Sequence, residues 1–156
     1  MRLFVALWRG LLARGLELSY AKLLEESFSG IIHHMEREAF EELVAEALEN
    51  LPDEFKSKLQ NVAITVEDWP DRHTMELAGV MVRTQLLGFY HGVPQTQRSH
   101  YYGLVPPDRI TIYRRPIELH CSSPDEIREM VEHVLRHEIA HHFGIGDDRL
   151  KEIGAY

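Results

Sequence analysis

Between Glu36 and Asn50 hydrophobic residues recur at helical spacing. Phe40, Leu43, Val44, Ala47 and Leu48 make one stripe, and Glu36, Glu41, Glu42, Glu46 and Glu49 make the other. The pattern predicts an amphipathic helix with one buried side. Leu51-Pro52 ends it, because the residue before a proline avoids the helical region. From Asn61 to Glu67 the period changes to two, with Val62, Ile64 and Val66 on one face. That predicts a strand, closed by the turn chemistry of Asp68-Trp69-Pro70-Asp71. Thr74 to Val82 fits a short helix or a strand equally well. Leu86-Leu87-Gly88-Phe89-Tyr90 reads as a second strand, stopped by His91-Gly92-Val93-Pro94, and Gln95 to Tyr102 reads as a polar loop. After the Pro106-Pro107-Asp108 turn, Arg109 to Arg115 alternates around Ile110 and Ile112 as a third strand.

The clearest helix start is Ser123-Pro124-Asp125-Glu126. Ser123 can cap, Pro124 suits the first helical position, and Glu126 stands where a capping box needs it. Ile127, Met130, Val131 and Val134 mark the buried side, and the same face continues to Glu138 and His141. Gly144 is placed to end the helix in the left-handed conformation.

Residues 1–34 differ from this regular section. Leu3, Phe4, Leu7, Trp8, Leu11, Leu12 and Leu18 lie near helical spacing, with Arg2, Arg9 and Arg14 among them. A signal peptide does not fit, since the arginines interrupt the apolar run and no small-residue cleavage site follows. The expectation is an N-terminal extension, helical or poorly ordered, with residues 1–30 able to make a weak membrane or partner contact. Residues 35–156 form the expected domain, and Met35 is a second candidate start.

Bulk composition narrows the function. Hydrophobic residues make up 44% and charged residues 27%, the balance of an ordinary globular domain. A net charge of −8 argues against nucleic acid as a partner, which would need clustered Lys and Arg. Cys121 is the one cysteine, so no intramolecular disulfide forms, as suits a cytoplasmic protein. No apolar run approaches the roughly 18 residues a membrane span needs.

The chemistry concentrates in His137-Glu138-Ile139-Ala140-His141-His142-Phe143-Gly144-Ile145-Gly146-Asp147, which reads His-Glu-x-x-His-x-x-Gly-x-x-Asp. Residues four apart on a helix share a face, so the His137 and His141 imidazoles can grip one metal ion. Glu138 is placed to act on a water beside it, the arrangement of a zinc hydrolase. Past Gly144 the chain can turn back and offer Asp147. Asp148 and Glu152 are rivals for the third position. His133 repeats the spacing with His137 but is followed by Val134, and His142 points about 100° away from His141 around the helix.

On these residues the stretch resembles the Asp-type zincin motif. With Phe40 to Val44, Leu51-Pro52, Asn61 to Asp68, Leu86 to Pro94, Pro107 to Ile110 and the Gly144-to-Gly154 tail, residues 35 to 156 resemble the small bacterial minimal zincins. The resemblance implies an α+β fold: a small zincin-like core whose short mixed sheet packs on an N-terminal helix and the His-Glu-x-x-His helix. It implies one Zn2+ per chain held by His137, His141 and Asp147, Glu138 as general base, and a peptide or protein as substrate. No Met follows Met130, so a metzincin Met-turn is not expected, and nine residues follow Asp147. The expectation is a shallow, open cleft of low specificity. The Arg109 to Arg115 strand would line it and pair with an extended substrate. Tyr113 and Tyr156 are candidates for stabilising the oxyanion. Two competing readings are a zincin fold that binds metal or a partner without significant peptidase activity, and a structural domain without metal. Oligomeric state is not legible.

Overall fold

The computed structural model describes residues 34–59, 61–98 and 107–152. The readings of residues 1–33 as an extension and of Tyr156 as an oxyanion donor lie outside the described residues.

Among the described residues six α-helices surround one three-stranded sheet. The first two helices are α1 (Arg37–Glu49) and α2 (Asp53–Lys56), followed by β1 (Val62–Glu67) and α3 (Arg72–Ala78). Then come β2 (Gly88–His91), β3 (Asp108–Tyr113), α4 (Arg114–His120), α5 (Pro124–His142) and α6 (Asp147–Glu152). The strand order is β1-β3-β2, with β1 parallel and β2 antiparallel to β3. This is the expected α+β architecture with a short mixed sheet.

The main core lies between the sheet, α1 and α5. Phe40, Ile110, Ile112, Ile127, Val131 and Leu135 are fully buried there. Each side chain of this size contributes about 1.5–3 kcal/mol by leaving water. The α1 stripe is oriented as its spacing predicts, with Phe40, Val44 and Ala47 buried and Leu43 and Leu48 partly so. A satellite cluster of Val80, Leu86, Phe89 and Tyr113, with Met75 and Ala78 against it, sits apart from this core.

In the ambiguous stretch at 74–82, residues 74–78 belong to α3 and residues 79–82 are neither helix nor strand. Asp71 caps the helix by accepting from the Thr74 amide at 2.6 Å, and Gly79 ends it at φ 69°. The third strand stops two residues early, and Arg114 and Arg115 open α4, a helix that periodicity did not predict. Pro116 is tolerated at its third position, where the amide has no intrahelical partner to lose. Distant contacts fix this corner. Arg114 donates to Asp68 Oδ1 at 3.0 Å and to the Met35 carbonyl at 2.6 Å. The buried Glu118 accepts from the Met35 amide at 3.1 Å and from Arg115 at 3.0 Å. The start of α1 and the end of β1 are thereby tied to α4.

One expectation about the strands is corrected. The strand at Arg109 to Arg115 was expected to line the cleft and pair with substrate. The observed β3 is central and hydrogen-bonded on both sides, so it has no free edge to offer. The edge strand beside α5 is β2.

Candidate metal centre

The α5 helix begins and ends on local signals. Ser123 Oγ accepts from the Glu126 amide at 3.2 Å, while Glu126 reaches back to the Ser122 amide at 2.7 Å, one residue short of a full capping box. At the other end Gly144 stands at φ 82°. Its amide bonds the His141 carbonyl, and the Ile145 amide bonds the Ala140 carbonyl, both at 2.9 Å, closing a Schellman motif. The reversed chain then starts α6 at Asp147, with the Gly146 carbonyl accepting from Arg149 and Leu150.

That reversal brings three side chains to one point. His137 Nε2 and His141 Nε2 are 2.9 Å apart, and Asp147 Oδ1 lies 3.3 Å from the first and 3.2 Å from the second. His137 and Asp147 are buried, and His141 is about one-fifth exposed. Among the described residues this is the one cluster of His, Cys, Asp or Glu able to hold a metal. Asp148 and Glu152 are exposed and outside it, and Glu152 pairs with Arg149. His133 is also outside it.

The donor chemistry fits a divalent cation. His141 Nδ1 lies 3.1 Å from the Ile145 carbonyl. A carbonyl only accepts, so Nδ1 carries the proton and Nε2 turns its lone pair inward. Burial pushes His137 down to about 4, with the neighbouring His141 adding to the shift, and burial lowers His141 as well, so both rings are neutral near pH 7. The triangle therefore holds more lone pairs than protons. In a tetrahedral zinc site with bonds of about 2.0–2.1 Å, ligand atoms stand about 3.3 Å apart, close to the separations seen here. Three protein donors of type N, N and O are the number a catalytic zinc site keeps, whereas closed structural sites use four.

Glu138 lies beside this triangle on the sheet side of α5. The Tyr90 backbone amide is hydrogen-bonded to its carboxylate. Burial raises its pKa to about 8; the Tyr90 bond opposes that shift and the Asp147 charge adds to it. Contact this close is possible because β2 begins with Gly88. A Cβ there would lie 2.6 Å from Val134 Cγ1 and 3.0 Å from Glu138 Cγ. The sequence reading missed these supports, although a glycine inside a strand pattern does signal close approach of another element.

His142 points away, as its angle around the helix requires, and is fully buried. Its Nδ1 lies 3.1 Å from Asp108 Oδ2, which also accepts from Tyr90 Oη at 2.6 Å and from Arg98. Gln95 Nε2 reaches His142 Nε2 at 2.9 Å. This network joins the end of α5 to β2, β3 and the 92–98 loop. Tyr113, expected near an oxyanion, is instead buried in the satellite cluster away from the triangle.

A cavity of about 430 Å³ opens on the triangle and on Glu138. Its walls come from the segment after α3, from β2, from Pro94 and Gln97, and from the Gly144–Gly146 turn. The connections between α3 and β2 and after β2 build walls that a count of residues beyond Asp147 could not reveal.

The profile of the zincin-like metallopeptidases matches residues 59–155, more than half of the chain. The chain belongs to the zincin-like metallopeptidase family. No curated protein matches it. Membership makes zinc the implied cofactor of this zincin-like metallopeptidase, and the donor triangle described above suits that ion. The matched span includes the sheet, the cavity walls and all four residues around the triangle. Among the described residues of this family member, no helix is long and apolar enough to cross a membrane.

Proposed function

We propose that this chain is a zinc-dependent hydrolase of peptide or amide bonds, with one zinc per chain held by His137, His141 and Asp147. Glu138 is its general base. The catalytic domain spans residues 35–156, with residues 1–34 as an extension, and its one buried cysteine suits a cytoplasmic setting. The observation that carries this reading is the convergence of two neutral imidazole nitrogens and a carboxylate oxygen within 3.3 Å, beside a fourth, buried carboxyl.

When bound, zinc supplies Lewis acidity, lowering the pKa of an adjacent water towards about 7 and polarising a carbonyl. The chain's own residues do the rest. Glu138, in its ionised form, takes a proton from the attacking water and passes it to the leaving amine. The Tyr90 amide holds the carboxylate in place between these two transfers. The Ile145 carbonyl fixes the His141 ring so that its Nε2 faces the metal. No covalent acyl intermediate is needed. The cavity beside Glu138 receives the peptide, and β2 is the sheet edge nearest to it.

The test is elemental analysis of protein purified without chelator or metal-affinity tag, joined to cleavage of a random peptide library read by mass spectrometry. The expected result is one zinc per chain in wild type and in Glu138→Gln, loss of zinc in His141→Ala, and cleavage by wild type alone. Failure to take up added zinc would overturn the reading. One zinc without cleavage would leave the competing reading, a metal-binding zincin fold that docks a partner.

A further inference from the structure

Two of the three donors depend on the turn that follows α5. It delivers Asp147, and its Ile145 carbonyl lies 3.1 Å from His141 Nδ1. The two glycines of this turn have different surroundings. A Cβ on Gly146 would meet nothing within 4 Å. A Cβ on Gly144 would run into the Thr96 side chain, overlapping Oγ1 and standing 2.8 Å from Cγ2. Gly144 therefore provides both the φ of 82° and the seat for Thr96. Pro94 and Gln97 line the cavity beside Asp147, and Thr96 does not.

Thr96 is held as a rigid post. It lies in a short 3-10 turn, Gln95–Gln97, with an anchored residue to either side. Gln95 Nε2 donates to the Lys58 carbonyl at 3.2 Å and reaches His142 Nε2 at 2.9 Å. Arg98 Nε donates to the Val93 carbonyl at 3.0 Å, and the Arg98 guanidinium pairs with the buried Asp108. Gly92 lets the segment pass this close, since a Cβ there would stand 2.6 Å from Asp108 Cγ.

We propose that Thr96 is a positioning residue for the metal centre: seated on Gly144, it holds the turn in the form that presents Asp147 before the ion arrives. The proposal rests on the reading of His137, His141 and Asp147 as zinc donors. Its physical basis is preorganisation. Without the Thr96 side chain the turn gains conformations, and zinc must order it on binding, so the lost freedom appears as weaker affinity. The contact is one of shape, because Oγ1 and Cγ2 fill the space that a side chain at 144 would take. Global stability depends little on it, since α5 is closed by its own Schellman bonds and anchored through His142.

The experiment compares variants of the full-length chain by zinc competition with a chromophoric chelator, by urea unfolding of the zinc-free protein, and by 15N–1H spectra without zinc. Thr96→Ala is expected to weaken zinc about tenfold, the lower end of what the supports of metal ligands provide, with the urea midpoint nearly unchanged. Its zinc-free spectrum should differ from wild type along Gly144 to Asp147. Thr96→Val, which keeps the branched shape, should retain wild-type affinity. Gly144→Ala should cost less affinity beside Thr96→Ala than in the wild-type chain, because part of its cost is the overlap with Thr96. Unchanged affinity in Thr96→Ala, an equal loss in Thr96→Val, strictly additive costs, or a loss that only follows the urea midpoint would overturn the role. A wild-type chain that takes up no zinc fails the donor reading and this proposal with it. Zinc bound equally by wild type and Thr96→Ala fails this proposal alone.

Discussion

Gly88 and Glu138 are matched across the β2–α5 contact: the Cβ that Gly88 lacks would stand 3.0 Å from Glu138 Cγ and 3.2 Å from Glu138 Oε1. Gly88→Ala must push the helix or the carboxylate aside, and Val134, at 2.6 Å, leaves no easy path. We expect a stability loss of about 1–3 kcal/mol. Hydrolysis should fall much more than zinc content, because the three atoms nearest this Cβ position belong to Val134 and Glu138 and none to His137, His141 or Asp147. Chemical denaturation with parallel metal analysis checks both parts. Proportional loss of zinc and activity would mean that the contact supports the whole helix and not the carboxylate in particular.

Asp147 and Asp148 are neighbours with opposite fates, one buried against two imidazoles and the other exposed. Asp147→Ala should weaken zinc binding on the order of 100-fold or more, the upper end of what even indirect ligand support provides. Asp148→Ala should leave affinity nearly unchanged. Competition with a chromophoric chelator measures both, and the reverse order would move the third ligand to Asp148.

Protonation gives the metal-free protein two opposing pH slopes. Burial holds His137 at about 4 and lowers His141, His142, His91 and His133 below their usual 6.5. From about pH 6.5 down to 4 the unfolded chain binds more protons, so stability drops as pH falls through that window. Glu138 acts in the other direction. Burial lifts it from 4.5 to about 8, so between those values the folded chain binds more protons and stability drops as pH rises. Glu138→Gln removes that second slope. In chelator, its melting temperature should gain on wild type between pH 5 and pH 8, by on the order of 5 °C. An offset that does not change with pH would mean that the carboxyl is not held in its neutral form.

Asp108 serves His142, Tyr90 and Arg98 at once, and it is buried. Asp108→Ala leaves those groups without their common acceptor and should cost about 3–5 kcal/mol, the range for breaking a buried pair. Breaking the exposed Arg72–Glu76 pair, with its partners 93% and 63% exposed, should be nearly silent. Urea unfolding of the two variants side by side decides this. Similar losses would show that the Asp108 network does not lock the end of α5.

The sequence by itself determined what depends on neighbours along the chain. The i, i+4 spacing of His137 and His141, the Ser123 cap, the Gly144 reversal and the Phe40–Val44–Ala47 stripe each follow from the geometry of a single helix. The motif and its surroundings pointed to the family that the profile match then showed. Tertiary structure decided what depends on non-local pairing. Position in a sheet is set by hydrogen bonds to other strands, so β3 reads the same at an edge or in the centre. Arg114 to His120 is a helix because Asp68 and Met35, far away in sequence, hold its first residue. The cavity walls gather residues 78–97 and 134–147 from separate elements, and hydrophobic periodicity records only which side of an element is buried, not what it meets.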